Sequence, residues 1–167
     1  MYNLAICFTY FIEMLISYSF FSLVGDKKLK SHICIIIGTA LFLSGALFDI
    51  LFSNIVWLNT VYFLFINLLF GSICYKVKFT SVLFYSIILD IFNGSLEFAT
   101  IFLISIVTKT EVTAYIDKLS FFVLDVVMSK LLYFLTCHIM ARLIKKEKDN
   151  IKFPTVLYLY PIIVIAT

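Results

Sequence analysis

Ser86, Asp90, Asn93, Glu97 and Thr100 recur at spacings of four, three, four and three within an otherwise apolar run from Ser81 to Val107. On a helix these spacings draw one polar stripe down one side. Lipid tails cannot satisfy two carboxyl groups, so the stripe must face other helices or a wet cavity. Four more ionisable side chains lie inside apolar runs: Glu13, Asp49, Asp125 and Lys130. Each costs about 2.5–3.5 kcal/mol at the centre of a bilayer on the insertion scale, so an uncompensated set would oppose insertion. Asp90, Glu97, Lys130, Asp125, Glu13 and Asn93 are therefore the candidate intramembrane polar set. A mid-depth ion pair with two arrangements is the bistable contact that a signal-transmitting bundle requires. The smaller side chains, Ser86, Asn93, Thr100, Ser129 and Thr136, also suit simple interhelical hydrogen bonds that hold a bundle together.

The elements that must carry these residues are membrane spans. The chain is 63% hydrophobic and 14% charged, whereas soluble domains are about a quarter charged. Its apolar residues come in blocks of about twenty, the length of one crossing. The blocks predict spans at 4–24, 33–52, 57–75, 80–107 and 119–143, with a sixth from 153 to 167. The expected fold is all-α: a polytopic membrane helix bundle and a single transmembrane domain over 1–167, with five full helices and a sixth cut short. That sixth block has about fifteen residues against the roughly twenty a crossing needs, which suggests a fragment or a truncated product. The first block has its lysines after it and none before, the reverse of a secretion signal.

Lysine and arginine gather in loops that stay cytoplasmic. Lys27, Lys28 and Lys30 follow span one, Lys76 and Lys78 follow span three, and Arg142, Lys145, Lys146, Lys148 and Lys152 follow span five. The opposite side has only Lys109 and Lys118, so the N-terminus is expected outside. Trp57 and Tyr115 then fall at the outer interface and Tyr75 at the inner one. At about 1.5 Å per residue, Asp90 lies roughly 15 Å and Glu97 roughly 25 Å above the cytoplasmic boundary. Counting down span five puts Lys130 near the depth of Asp90 and Asp125 near that of Glu97. The depths predict a Lys130–Asp90 pair, with Glu13 the alternative partner, and Glu97 and Asp125 facing each other as neutral acids.

Cys7, Cys34, Cys74 and Cys137 show no short paired spacing, so no disulfide and no metal site are expected. His32 and His138 fall near the cytoplasmic ends of spans and read as interfacial. There is no glycine-rich phosphate loop, no Gly-x-Ser-x-Gly and no His-Glu-x-x-His, hence no catalytic residues and no cofactor are assigned. The net charge of +3 follows from the lysine topology beside anionic headgroups and implies no nucleic-acid partner.

Several segments together resemble the N-terminal transmembrane sensor region of Agr-type (GHKL-family) peptide-receptor histidine kinases. They are Phe11-Ile12-Glu13, the Gly25-Asp26-Lys27-Lys28-Leu29-Lys30 cluster, Tyr75-Lys76-Val77-Lys78, Phe84-Tyr85-Ser86, Lys145-Lys146-Glu147-Lys148 and Leu159-Tyr160-Pro161-Ile162-Ile163. The likeness is one of layout and spans nearly the whole chain. No phosphoacceptor helix and no ATP-binding boxes are present, so kinase activity would need a further C-terminal portion. The resemblance implies a sensor of a two-component, quorum-sensing-like histidine kinase, homodimeric, in the bacterial plasma membrane, which recognises a secreted peptide outside and passes the signal by helix movement. It puts the ligand at the outer rim: Trp57, Tyr115, Asp49, Asn54, Asn59 and Glu111. Two other classes remain open: a small-molecule or ion transport component with an intramembrane charged site, and a rod-shape-type membrane scaffold. The transport class predicts a polar cavity reaching mid-depth, and the scaffold class predicts binding to cell-wall synthesis partners.

Overall fold

A computed structural model describes residues 2–52, 56–109 and 119–149. Five helices account for most of them: α1 (Tyr2–Val24), α2 (Ser31–Phe52), α3 (Val56–Cys74), α4 (Phe79–Thr108) and α5 (Leu119–Asp149). Each contains a stretch long and apolar enough to cross a bilayer, as expected of a multi-pass membrane protein. The 22 residues of α2 rise about 33 Å, enough for a hydrocarbon core of about 30 Å. Neither of the chain's two prolines falls within these helices, so nothing removes a rung from their hydrogen-bond ladders. The 30 residues of α4 rise about 45 Å, so this helix must tilt or project beyond the hydrocarbon. It stops at Lys109, whose φ of 52° turns the backbone left-handed. The five expected full spans correspond to these helices within a few residues at most ends; α5 runs on to Asp149, six residues past the expected end of the fifth. The proposed sixth, 153–167, lies outside the described residues.

Each helix packs against its neighbours in the chain, and α5 also packs against α1, which closes a ring of five. The outside of the ring is apolar: Leu4, Leu51, Phe98 and Val107 are 75–80% exposed. Glu13, Ser17, Asn67, Ser86, Thr100, Asp125, Ser129 and Lys130 are buried within it. Polar groups turned inward and apolar ones outward are what a hydrocarbon solvent demands.

The two ends of the ring differ. At the end carrying Lys27, Lys28, Lys30, Lys76 and Lys78, the α1–α2 and α3–α4 loops are stitched together by backbone. The Lys28 N–H donates to the Cys74 carbonyl at 2.8 Å and the Lys76 N–H donates to the Asp26 carbonyl at 2.7 Å. Beneath this stitch, Phe21 stacks on Tyr75 with ring centroids 5.6 Å apart and meets Phe70 edge-on at 6.2 Å. The Tyr75 hydroxyl lies 3.0 Å from Ser22 Oγ and donates to the Tyr18 carbonyl at 3.2 Å. Gly71 permits this packing. A Cβ there would fall 2.7 Å from Val82 Cγ1 and 2.8 Å from the Phe21 ring. Tyr133, Cys137 and Ala141 bring α5 into the same cluster. The opposite end, where α1 begins, is hollow.

Candidate functional site

The hollow end is a cavity of about 460 Å³ with walls from all five helices. It is the polar stripe of α4 that turns into it: Asp90, Asn93 and Glu97 line the wall, with Glu13 from α1 and Asp125 and Ser129 from α5. Asp49 of α2 and Asn59 of α3 complete it near the rim. Asn59 Nδ2 donates to Asp49 Oδ1 in a short contact. Ile6, Phe63, Ile101, Phe122 and Val126 supply apolar wall between the polar groups.

Lys130 stands behind the wall, bonded to three residues that line it. Its ammonium has three N–H groups, and each finds an acceptor: Glu13 Oε1 at 2.5 Å, Asn93 Oδ1 at 2.7 Å, and Glu97 Oε1 in a shorter contact. Asn93 uses the other end of its amide to donate to Glu13 Oε1 at 3.0 Å. The network thus ties α1, α4 and α5 together through charged hydrogen bonds in a low-dielectric setting, where they are strongest. The partners differ in access: the side chains of Lys130 and Glu13 are 3% and 4% exposed, that of Glu97 39%. Glu13, Asn93 and Glu97 all line the cavity, and Glu97 is the charged member with the most exposed side chain.

This arrangement corrects the expected Lys130–Asp90 pair and shows the alternative one, Lys130 with Glu13. Lys130 meets Glu13, Asn93 and Glu97, not Asp90, for which no hydrogen bond forms among the described residues. Equal Cα depth was the wrong criterion. Side chains on a helix lean toward its N-terminus, and α4 and α5 run in opposite directions. Lys130 therefore leans toward the rim and Glu97 leans away from it, so the two meet, while Asp90 leans further from the ammonium. Nor do Glu97 and Asp125 face each other as a pair: Asp125 Oδ1 takes a hydrogen bond from the Thr100 hydroxyl at 2.5 Å.

All six candidate intramembrane residues thus lie in or against one cavity. Of the rim residues, Asp49 and Asn59 line it; Trp57, 68% exposed, stands on the outer surface of α3 and is not part of the wall. Asn54, Glu111 and Tyr115 lie outside the described residues. Two features escaped the sequence reading. Tyr10 lines the cavity three residues before Glu13, a spacing that puts both on one helix face. Its ring fits because α2 has Gly45 opposite, where a Cβ would come within 2.8 Å of Tyr10 Cε1. Asn67, fully buried in α3, accepts from Ser17 Oγ at 2.7 Å and donates to the Phe63 carbonyl at 3.1 Å. A lone asparagine inside an apolar span was its only signal.

The described wall holds five carboxyl groups: Glu13, Asp49, Asp90, Glu97 and Asp125. Among the described residues Lys130 is the cation bonded to two of them, Glu13 and Glu97, and it can match one charge. The other carboxyl groups are left to hydrogen bonds such as those from Asn59 and Thr100, to water, or to a cation that enters the cavity. No group of three or more His, Cys, Asp or Glu side chains converges closely enough to hold a metal ion among the described residues. The acids ring a space instead of meeting at a point.

Compared with protein-family models, curated proteins and solved structures, the chain matches none, so its fold and site rest on its own geometry.

Proposed function

We propose that this chain is the membrane-embedded sensor part of a bacterial peptide-responsive two-component histidine kinase, with α1 beginning on the outer side of the plasma membrane. One observation supports this most directly: the same cavity wall joins rim residues Asp49 and Asn59 to the Lys130–Glu13–Asn93–Glu97 network. A peptide group that enters at the rim and competes for Glu97 changes the force between α4 and α5. The stitched loops at the other end tie the α1–α2 and α3–α4 hairpins by backbone, whereas α5 joins them there through the side-chain packing of Tyr133, Cys137 and Ala141, so α5 is the helix freer to shift. That helix continues to Asp149, past the hydrocarbon, and can carry its displacement to a kinase portion. Phosphoryl transfer itself belongs to that portion, and a homodimer would bring two such helices together.

A second reading is favoured by a specific observation. The cavity reaches mid-span, as a small-molecule or ion transport component requires. One experiment separates the two. The full chain is placed in nanodiscs and in sealed vesicles and exposed to a panel of short apolar peptides, linear and cyclised. Spin labels at the rim ends of α1 and α5 report their separation. The sensor reading expects binding and a changed label distance without passage across the vesicle bilayer. Passage of the bound compound supports transport. Absence of binding by every peptide, with no distance change, overturns the sensor reading.

A further inference from the structure

We propose that the cavity takes an organic cation, a primary ammonium or guanidinium group on a small apolar body, and that this group displaces Lys130 from Glu97. The inference rests on the sensor reading for its consequence but on the cavity alone for its chemistry.

Three features converge. First, the only described cation at the cavity has already spent its three N–H groups on Glu13, Asn93 and Glu97. It has no donor left for Asp90, Asp49 or Asp125. Second, access is graded in the direction that exchange needs. Both line the cavity, but Glu97 has 39% of its side chain exposed, whereas Glu13 has 4% and is held beside Lys130. When Glu97 turns to an incoming cation, Glu13 and Asn93 keep the lysine neutralised and hydrogen-bonded, so the exchange leaves no bare charge in the hydrocarbon. Third, the space suits a molecule: among the described residues no three acids converge on a point within it. Its roughly 460 Å³ falls within the range of ordinary ligand pockets, and the acids stand around it without converging. Phe63, Ile101 and Phe122 offer an apolar body its contact surface. An anionic ligand would meet five carboxyl groups on the described wall and find its one described cation already bonded to Glu13 and Glu97.

The displaced contact also predicts an unusual response. Lys130 competes with the ligand for Glu97, so removing the lysine should tighten cation binding, whereas removing Glu97 should weaken it.

The full chain in phosphatidylcholine nanodiscs is titrated with 3-phenylpropylammonium, with 3-phenylpropanol as the uncharged control and with 3-phenylpropionate as the anion, all at constant ionic strength. The ammonium compound should bind about tenfold or more tightly than the alcohol, and the carboxylate should not bind. Glu97→Gln and Asp90→Asn should each weaken the ammonium compound by about tenfold. Lys130→Met should strengthen it; should that variant fail to fold, Asp90→Asn, which lies outside the lysine's hydrogen bonds, keeps the test decisive. Equal binding of the alcohol, tighter binding of the carboxylate, or no binding by any compound overturns the proposal. A neutral peptide that binds and moves α5 while the ammonium compound does not would overturn it and leave the sensor reading intact. Passage of the ammonium compound across sealed vesicles faster than across protein-free ones, and lost in Glu97→Gln, would uphold the cation site and overturn the sensor.

Discussion

Replacing Lys130 by Met, alone and combined with changes in its partners, tests the geometry of the network directly. Lys130 and Glu13 are almost wholly buried, with side-chain exposures of 3% and 4%. Breaking a pair buried to that extent leaves an uncompensated charge and costs about 3–5 kcal/mol. Lys130→Met and Glu13→Gln should each destabilise the bundle on that scale. The double variant should lose far less than the sum, with a coupling energy of about 2–3 kcal/mol. Glu97 has 39% of its side chain exposed, and the wet side of the contact screens it. Its coupling to Lys130 should be about 1 kcal/mol or below. Asp90 shares no hydrogen bond with the lysine, so Lys130→Met and Asp90→Asn should add within about 0.5 kcal/mol. The assay is reversible unfolding in mixed micelles titrated with a denaturing detergent, followed by circular dichroism. Additive losses at Lys130 and Glu13, or strong coupling between Lys130 and Asp90, would refute the assignment of partners.

Other outcomes follow from the packing. Gly71→Ala should destabilise by about 1–3 kcal/mol, because the new methyl group meets Val82 on one side and Phe21 on the other. Gly94→Ala, where an added Cβ meets nothing within 4 Å, should be neutral or stabilise by up to about 1 kcal/mol through helix propensity; detergent unfolding compares the two. Asn67→Ala removes the acceptor of the buried Ser17 hydroxyl and should cost about 1–2 kcal/mol by the same assay. With the expected orientation, a cysteine replacing Asn59 should react with a membrane-impermeant thiol reagent added outside intact cells, and one replacing Lys28 should not. The opposite pattern would invert the topology.

The spans were legible because bilayer thickness fixes the length of an apolar block and polar punctuation marks its ends. The α4 stripe was legible for a related reason: helix periodicity alone puts Asp90, Asn93 and Glu97 on one face. What the sequence could not supply was azimuth and reach between helices 117 residues apart. Counting Cα depth put Lys130 beside Asp90, but a lysine side chain is several ångströms long and leans toward the start of its own helix. That lean decides the pairing in favour of Glu97 and Glu13. The cavity was legible only as a requirement that the acids avoid lipid. Its volume and its wall from α2 and α3 depend on Gly45, on Tyr10 and on the way five helices close into a ring, none of which a one-dimensional pattern records. Trp57 illustrates the reverse case: an aromatic at the right depth for the rim turns outward, because depth along α3 says nothing about which side of that helix it occupies.

The distance in sequence between Glu13 and Lys130 has a consequence for biosynthesis. The ribosome delivers the first helix, with its acid, long before the fifth helix brings the amine that neutralises it. During that interval the nascent bundle has a vacancy in its ring where a carboxyl group stands without its counterion, and among the described residues it is Asn93, arriving with the fourth helix, that gives it interim company. Completion of the ring is therefore also the step that makes the earlier helices comfortable in lipid, so a chain stalled before the fifth helix is marked as unfinished by its own chemistry.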